Sequence, residues 1–368
     1  MKKPHILAFY LPQYRPVKEN NEWFGEGFTE WTNVAKAKPL FKGHKQPKVP
    51  ADLGFYDLRL PQVREKQAEL AREAGVSAFC YYHYWFGNNK KILNETLEEV
   101  VEAKNPDFPF CICWANHSWY KKNWNPDTQS MDQNLILEQT YPGKQDIREH
   151  FEYLLPMFKD KRYYKIDSRL VFVIYDFKGF PDFDSFKELW NQLAKANDLP
   201  EFYFLAYTPV VADTKTRMFD NTDGVILSLV TGVTNYKSNS RWIKIRNLIL
   251  SKVSKWLNYP LQLFSYEEAM PYMLDEVERN ENVIPVIVPN WDYTPRRGPG
   301  GFILHTSTPE LFKKHVIEAL NLIKEKKQDK QILFLKSWNE WGEGNYMEPD
   351  LEYGKGYINA LKEALNEV

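Results

Sequence analysis

Eight short apolar runs, each separated from the next by polar and helix-patterned sequence, set the strongest limit on how this 368-residue chain folds. The runs predict strands at His5–Tyr14, Val76–Trp85, Phe108–Trp114, Leu170–Tyr175, Phe202–Tyr207, Gly224–Val230, Ile284–Pro289 and Gln331–Lys336. Helical periodicity is expected over Pro61–Ala74, from about Asn94, over Ile147–Lys159 and Asp184–Asn197, from about Arg241, and over Tyr266–Arg279. It is expected again over Pro309–Lys326, where Thr308 is the cap, and Tyr357–Leu365. Strands that are apolar almost throughout are covered on both faces, which is the pattern of a parallel sheet. Eight such units predict an α/β fold, a single (β/α)8 TIM barrel over residues 1–368 with long βα loops forming the active-site face. An open doubly wound sheet also gives the alternation, but it calls for a glycine-rich phosphate loop after the first strand. Leu11-Pro-Gln-Tyr14 contains no glycine.

Polar and aromatic residues collect after the strands, where the chemistry of such barrels sits. Gln13-Tyr14, His83-Tyr-Trp85, Asn116-His117, Tyr175-Asp176 and Asn290-Trp-Asp292 follow this rule. The most demanding cluster is Leu335-Lys-Ser-Trp-Asn-Glu-Trp-Gly-Glu-Gly-Asn-Tyr-Met-Glu-Pro-Asp350, with Glu340, Glu343 and Glu348 among two tryptophans and two glycines. Carboxylates held against aromatic walls lose hydration and become proton donors near neutral pH. Two of them with different proton affinity are the minimum equipment for glycosidic-bond chemistry. A surface turn capping the last helix is the alternative, although a cap needs one acidic residue and no tryptophan. A spacing of three brings Glu340 and Glu343 to one side only on a helical turn, so a strand-to-turn switch is expected near Asn339, eased by Gly342 and Gly344.

The balance of 48 basic and 49 acidic residues disfavours nucleic acid, which needs a basic footprint. An aromatic content of 15%, with 12 Trp and 22 Tyr, suits a protein that stacks on the apolar faces of sugars, so the expected partner is an oligosaccharide or polysaccharide. Candidate substrate contacts are Tyr10, Glu30, Trp31, His83, Tyr84, Trp114, Asn116, Trp119, Tyr175, Trp291, Trp338 and Asn339. His83 is read as a site residue because it lies at the functional end of its strand; Arg296 and Arg297 are read as solvated loop cations in preference to a clamp for phosphate or an acidic sugar. The aromatic-rich connection from Arg15 to Leu60 is expected to form one wall of the site. No metal ligand spacing and no cofactor motif is found. Asp182-Phe-Asp184 matches the DxD of metal-dependent sugar transferases only weakly, and Asp184 is expected to cap the following helix.

Cys80, Cys111 and Cys113 lie in apolar runs and read as reduced, buried thiols. With an N-terminus too quickly polar for a signal peptide, they lead us to expect a cytoplasmic protein. From Arg241 to Leu257 there are five basic residues and no acidic one, with Trp242, Ile245, Ile249, Val253 and Trp256 on one helical stripe. That pattern suits a helix on an anionic membrane surface; an outer barrel helix with a basic rim is the reading we favour.

Seven blocks carry a family resemblance: Ala8-Phe-Tyr-Leu-Pro-Gln-Tyr14, Gly27-Phe-Thr-Glu-Trp-Thr-Asn-Val34, Ala51-Asp-Leu-Gly-Phe-Tyr-Asp57, Cys80-Tyr-Tyr-His-Tyr-Trp85, Cys113-Trp-Ala-Asn116, Thr294-Pro-Arg-Arg-Gly298 and Trp338-Asn-Glu-Trp-Gly-Glu-Gly344. Across essentially its whole length the chain resembles the WbsX-type family, labelled glycosyltransferases of O-antigen or capsule loci. That family is similar to glycoside hydrolase family 99, the endo-α-1,2-mannosidase group. The resemblance implies a metal-free (β/α)8 barrel acting on glycosidic bonds of a bacterial cell-surface polysaccharide or its precursor, by a retaining mechanism in which the substrate's 2-hydroxyl takes part. A glycosyltransferase of lipopolysaccharide or capsule biosynthesis is the alternative. It further implies that Glu340 is the base acting on that hydroxyl and Glu343 the acid/base at the leaving oxygen. Asn116-His117-Ser118-Trp119 stands where many relatives have Asn-Glu-Asn-Trp, which puts the contacts of the third loop in question.

Overall fold

The computed structural model describes residues 3–125, 130–230, 232–234, 259–260 and 262–368, and side chains are described except at 121–133. Eight parallel strands close on themselves: β1 His5–Tyr10, β2 Ala78–Trp85, β3 Phe110–Trp114, β4 Arg169–Ile174, β5 Phe202–Thr208, β6 Gly224–Leu227, β7 Val283–Ile287 and β8 Ile332–Leu335. Closure comes from β1, which pairs with β8 through His5↔Ile332 to Ala8↔Leu335 and with β2 through Leu7↔Ala78 to Tyr10↔Tyr81. The barrel expected from the alternation is the fold observed.

The outer layer includes α1 Pro61–Ala74, α2 Glu95–Ala103, α3 Lys144–Phe158, α4 Phe183–Ala196, α5 Pro309–Ile323 and α6 Gly356–Glu367. Thr308 caps α5 by accepting from the Leu311 amide at 3.3 Å. Asp182, and not Asp184, caps α4 through the Ser185 amide. The expected helix over Tyr266–Arg279 is broken into Tyr266–Ala269 and two 3-10 turns, Met270–Tyr272 and Glu276–Arg279. Pro271 supplies no amide hydrogen, and Asp275 starts a new capping box with Val277 and Glu278 that competes with a continuing helix. The basic stretch 241–257 lies outside the described residues. Among the described residues no helix is long and apolar enough to cross a membrane.

Strand residues alternate between the barrel interior and the strand–helix layer. On the inner face Phe9 stacks on Tyr82 at 5.3 Å between ring centroids and meets Phe334 at 5.1 Å, and Tyr175 stacks on Tyr207 at 4.4 Å. On the outer face Phe172 packs on Trp190, and Tyr81 on Tyr10. At the strands' C-terminal side, two short helices in the β1–α1 connection, Lys18–Phe24 and Glu30–Lys36, form part of the site's rim. A hairpin of Trp119–Asn125 with Ser130–Leu137, and a small sheet of Gln262–Ser265, Phe302–His305 and Trp291–Asp292, add to it.

Candidate active site

The chain leaves β8 through a cis peptide bond between Lys336 and Ser337, pairs Asn339–Glu340 with Asn345–Tyr346, and makes one 3-10 turn over Trp341–Glu343. That turn puts both carboxyl groups on one side, within reach of a single guanidinium. Arg296 Nη1 lies 2.5 Å from Glu343 Oε1 and 3.9 Å from Glu340 Oε1, while its Nε donates to Glu30 Oε2 at 2.9 Å. Gly342 makes this approach feasible, because any Cβ there would overlap the Glu30 carboxylate. Gly344 adopts φ 61°, and a Cβ on it would sit 2.7 Å from the Asp292 backbone. Glu348 lies behind the turn, accepting from Trp341 Nε1 and Gln67 Nε2 at 2.6 Å and from the Tyr56 hydroxyl at 2.9 Å. Its role is to brace the loop.

The two facing carboxyls differ in proton affinity. Burial, and then repulsion from Glu343, push Glu340 up to about 7 against Lys336, Arg296 and the Ser337 hydroxyl, which donates to it at 2.7 Å. Burial presses Glu343 upward too, but Arg296, Lys336, Arg297 and a hydrogen bond with Tyr293 outweigh it and hold Glu343 below the ordinary carboxylate range. Close carboxylates resist double ionisation, so the pair keeps one proton near neutral pH. In the free site that proton is favoured on Glu340, although the resemblance implies Glu343 as the acid at the leaving oxygen; the difference is the ion pair of Glu343 with Arg296, which residue spacing does not reveal. Lys336 adds a second buried cation. Burial disfavours its charge, but Tyr175, Tyr207, Glu340 and Glu343 more than compensate. Its Nζ donates to the Tyr175 hydroxyl at 3.2 Å and lies 5.3 Å from the centre of the Trp291 ring.

Two cavities meet at this turn. One, of about 480 Å³, is lined by Tyr175, Tyr207, Trp291, Lys336 and Glu343; the other, of about 470 Å³, by Trp23, Phe28, Glu30, Trp119, Arg296 and Arg297. His117 and Tyr293 border both, so they are two arms of one cleft.

Of the residues expected in the cleft, Glu30, Trp119, Tyr175, Trp291 and Glu343 line it, and Glu340 lies one turn from Glu343. Tyr84 faces inward, packed edge-on against Trp119. The others stand elsewhere. Tyr10 points outward and donates to Gln67 at 2.7 Å on α1. His83 lies behind β2, its Nε2 2.9 Å from His150 Nε2 on α3, and burial drives it down to about 3. Trp114 faces the same layer, stacked on Phe186 and donating to the Trp85 carbonyl. Trp31 donates to the Tyr56 carbonyl and packs on Trp341; Trp338 packs on Phe79. Asn116 joins the loops by bonding Tyr141 and both backbone groups of Asp176. Asn339 clamps the backbone of Leu11 at 2.7 and 3.0 Å. Arg296, read as a solvated loop cation, is the centre of the site's charge network. Lys336 also lines the cleft and is not among the expected residues. A lone lysine ending an apolar strand on the functional side is the sequence signal that marks it.

The family model described as Glycosyltransferase WbsX matches residues 6–361. The chain is 30% identical over 364 residues to the uncharacterized protein WxcX of Xanthomonas campestris pv. campestris (strain B100), a match covering 98% of this chain and 49% of the relative. It therefore spans about half the length of the curated relatives it matches. The GH99 endo-alpha-mannosidase of Bacteroides thetaiotaomicron is similar in fold, with a TM-score of 0.57 at 15% identity over 99% of this chain and 97% of that one. A solved glycoside hydrolase-like protein gives a TM-score of 0.61 at 16% identity, covering 99% and 94% of the two chains.

Proposed function

This chain belongs to the WbsX glycosyltransferase family and so to the carbohydrate-active enzymes, and from that premise we propose that it cleaves glycosidic bonds of a bacterial cell-surface polysaccharide, or of its precursor, with retention of configuration. The observation that carries the reading is the pair Glu340 and Glu343 on one turn at the junction of two aromatic arms, both facing the Arg296 guanidinium. In the reaction the Glu340 carboxylate takes the proton of the substrate's 2-hydroxyl. That oxygen attacks the anomeric carbon as the bond to the leaving oxygen breaks, and Glu343 protonates the leaving oxygen. Water then opens the resulting three-membered ring at the anomeric carbon, giving its proton to Glu343, while Glu340 returns its proton to the 2-oxygen.

This division of labour needs the resting proton to pass from Glu340 to Glu343 when glycan covers the site. Arg296 supplies the means, since a guanidinium already 3.9 Å from Glu340 has only a short way to move from one carboxylate to the other. The test uses an aryl glycoside whose leaving group needs little protonation. Glu343→Gln is expected to retain part of its bond-cleaving activity there, and Glu340→Gln to lose it. The reverse order would mean that the resting protonation is the working one and that the roles are exchanged.

Glycosyl transfer is a second reading, favoured by the family's own description. Supplying α-mannosides, intact polysaccharides and sugar nucleotides in parallel separates the two: release of reducing ends supports cleavage, and consumption of a sugar nucleotide with growth of an acceptor supports transfer.

A further inference from the structure

We propose that the arm lined by Arg297 is a subsite for a saccharide unit carrying an anionic group, either the carboxylate of a uronic acid or a phosphate ester. The arm is rich in aromatic side chains, with Trp23, Phe28 and Trp119 among them, which offer faces for sugar rings. Among the described residues its charge is unbalanced, and the one carboxylate lining it, Glu30, is held by Arg296 at 2.9 Å and by Asn33 at 3.3 Å. Arg297 and Lys36 line the same arm, and among the described residues neither has an ion-pair partner.

Arg297 also carries a buried fault. Its guanidinium lies over the Tyr293 ring, 4.4 Å from the centroid, and among the described residues no acceptor meets its buried Nε. A buried donor without an acceptor costs free energy, and a planar guanidinium held on an aromatic face presents its edge to a carboxylate or phosphate. An anionic group that bonds the accessible part of this guanidinium balances the arm's positive charge.

The inference rests on the cleavage reading for its consequence. Arg297 is one of the cations that hold Glu343 ionised. An anion bound to Arg297 offsets that charge and raises the proton affinity of Glu343, so an acidic glycan would help prepare its own proton donor.

Binding needs no turnover, so it can be tested apart from catalysis. Calorimetric titration of the purified protein with D-glucuronate, D-galacturonate, D-mannuronate and glucose 1-phosphate would be compared with the matching neutral sugars. At least one anionic sugar is expected to bind about tenfold more tightly than its neutral counterpart, with the preference shrinking as salt rises. Arg297→Ala should abolish the preference and leave the weak binding of neutral sugars, whereas Arg297→Lys should keep part of it. Thermal unfolding of each variant confirms that it is folded, and Arg297→Lys carries the test if Arg297→Ala is not. The uronates and the sugar phosphate distinguish the two sources of charge. Equal binding of neutral and anionic sugars by the unaltered protein, or a preference that survives Arg297→Ala, overturns the inference. Preference for acidic sugars in a protein that cleaves no glycoside would overturn the cleavage reading alone.

Discussion

Glu340 and Glu343 differ because one guanidinium lies against one of them and not the other, and this makes activity depend on pH in a defined direction. In the proposed mechanism the pair works while it holds a single proton: it takes up a second below the lowered affinity of Glu343 and loses its last as pH rises through the value of about 7 for Glu340. kcat/KM is therefore expected to fall above about pH 7; a plateau extending past pH 9 would contradict the shared proton. The same group sets a stability trend. A carboxyl raised in the folded state binds more protons there than when unfolded, so it weakens folding as pH climbs from its unfolded value toward about 7. Glu340→Gln removes this penalty, and its Tm should exceed that of the unaltered protein at pH 8 by on the order of a few degrees, with the difference vanishing near pH 4. Gly342→Ala tests the close approach. The added methyl must push Glu30 and with it Arg296, so turnover should drop by roughly two decades, while overpacking costs about 1–3 kcal/mol in a urea titration. Unchanged turnover would separate Glu30 from the site's charge network.

At the scale of elements, parity decides which side chains reach the cleft. His83 stands between Tyr82 and Tyr84 on β2, so when those two point into the barrel it must point out, toward His150. His83→Phe is expected to leave catalytic constants within about twofold. It should lower Tm at pH 7 because His150 loses its partner. The sign with pH also follows: a histidine held down to about 3 when folded gives stability that is full above its unfolded value and is lost as pH falls below it. The variant should thus lose less of its Tm between pH 7 and pH 4.5 than the unaltered protein does. The eight strands were legible because apolar runs bounded by glycine, proline and polar clusters leave few other folds. The turn after β8 was legible because two carboxyls three apart face one way only on a helical turn. The inward set on β2 and β3 was legible in principle, yet chemistry-bearing residue types drew attention to His83 and Trp114 in place of the parity-matched Tyr82 and Cys113. Arg296 was not legible, since a loop arginine reveals its partners only when the β1–α1 connection has folded against the β8 turn and brought Glu30 to it.

For the whole molecule, the barrel gathers onto one face parts that lie far apart in the chain: Glu30 after β1, His117 after β3, Tyr175 after β4, Arg296 after β7 and the glutamates after β8. β1 and β8 are neighbours only because the sheet closes, and closure is what lets Asn339 clamp Leu11 and Glu30 reach Arg296. The central claim is that this shared-proton pair breaks glycosidic bonds. The direct test is release of reducing ends from a panel of bacterial surface polysaccharides and α-mannosides by the unaltered protein, Glu340→Gln and Glu343→Gln. Each variant keeps the shape of its side chain and removes its proton chemistry. The account predicts release by the unaltered protein and a loss of about two decades or more in each variant, with glycan binding preserved. Full activity in either variant, or no release by the unaltered protein from any of the panel, would contradict it.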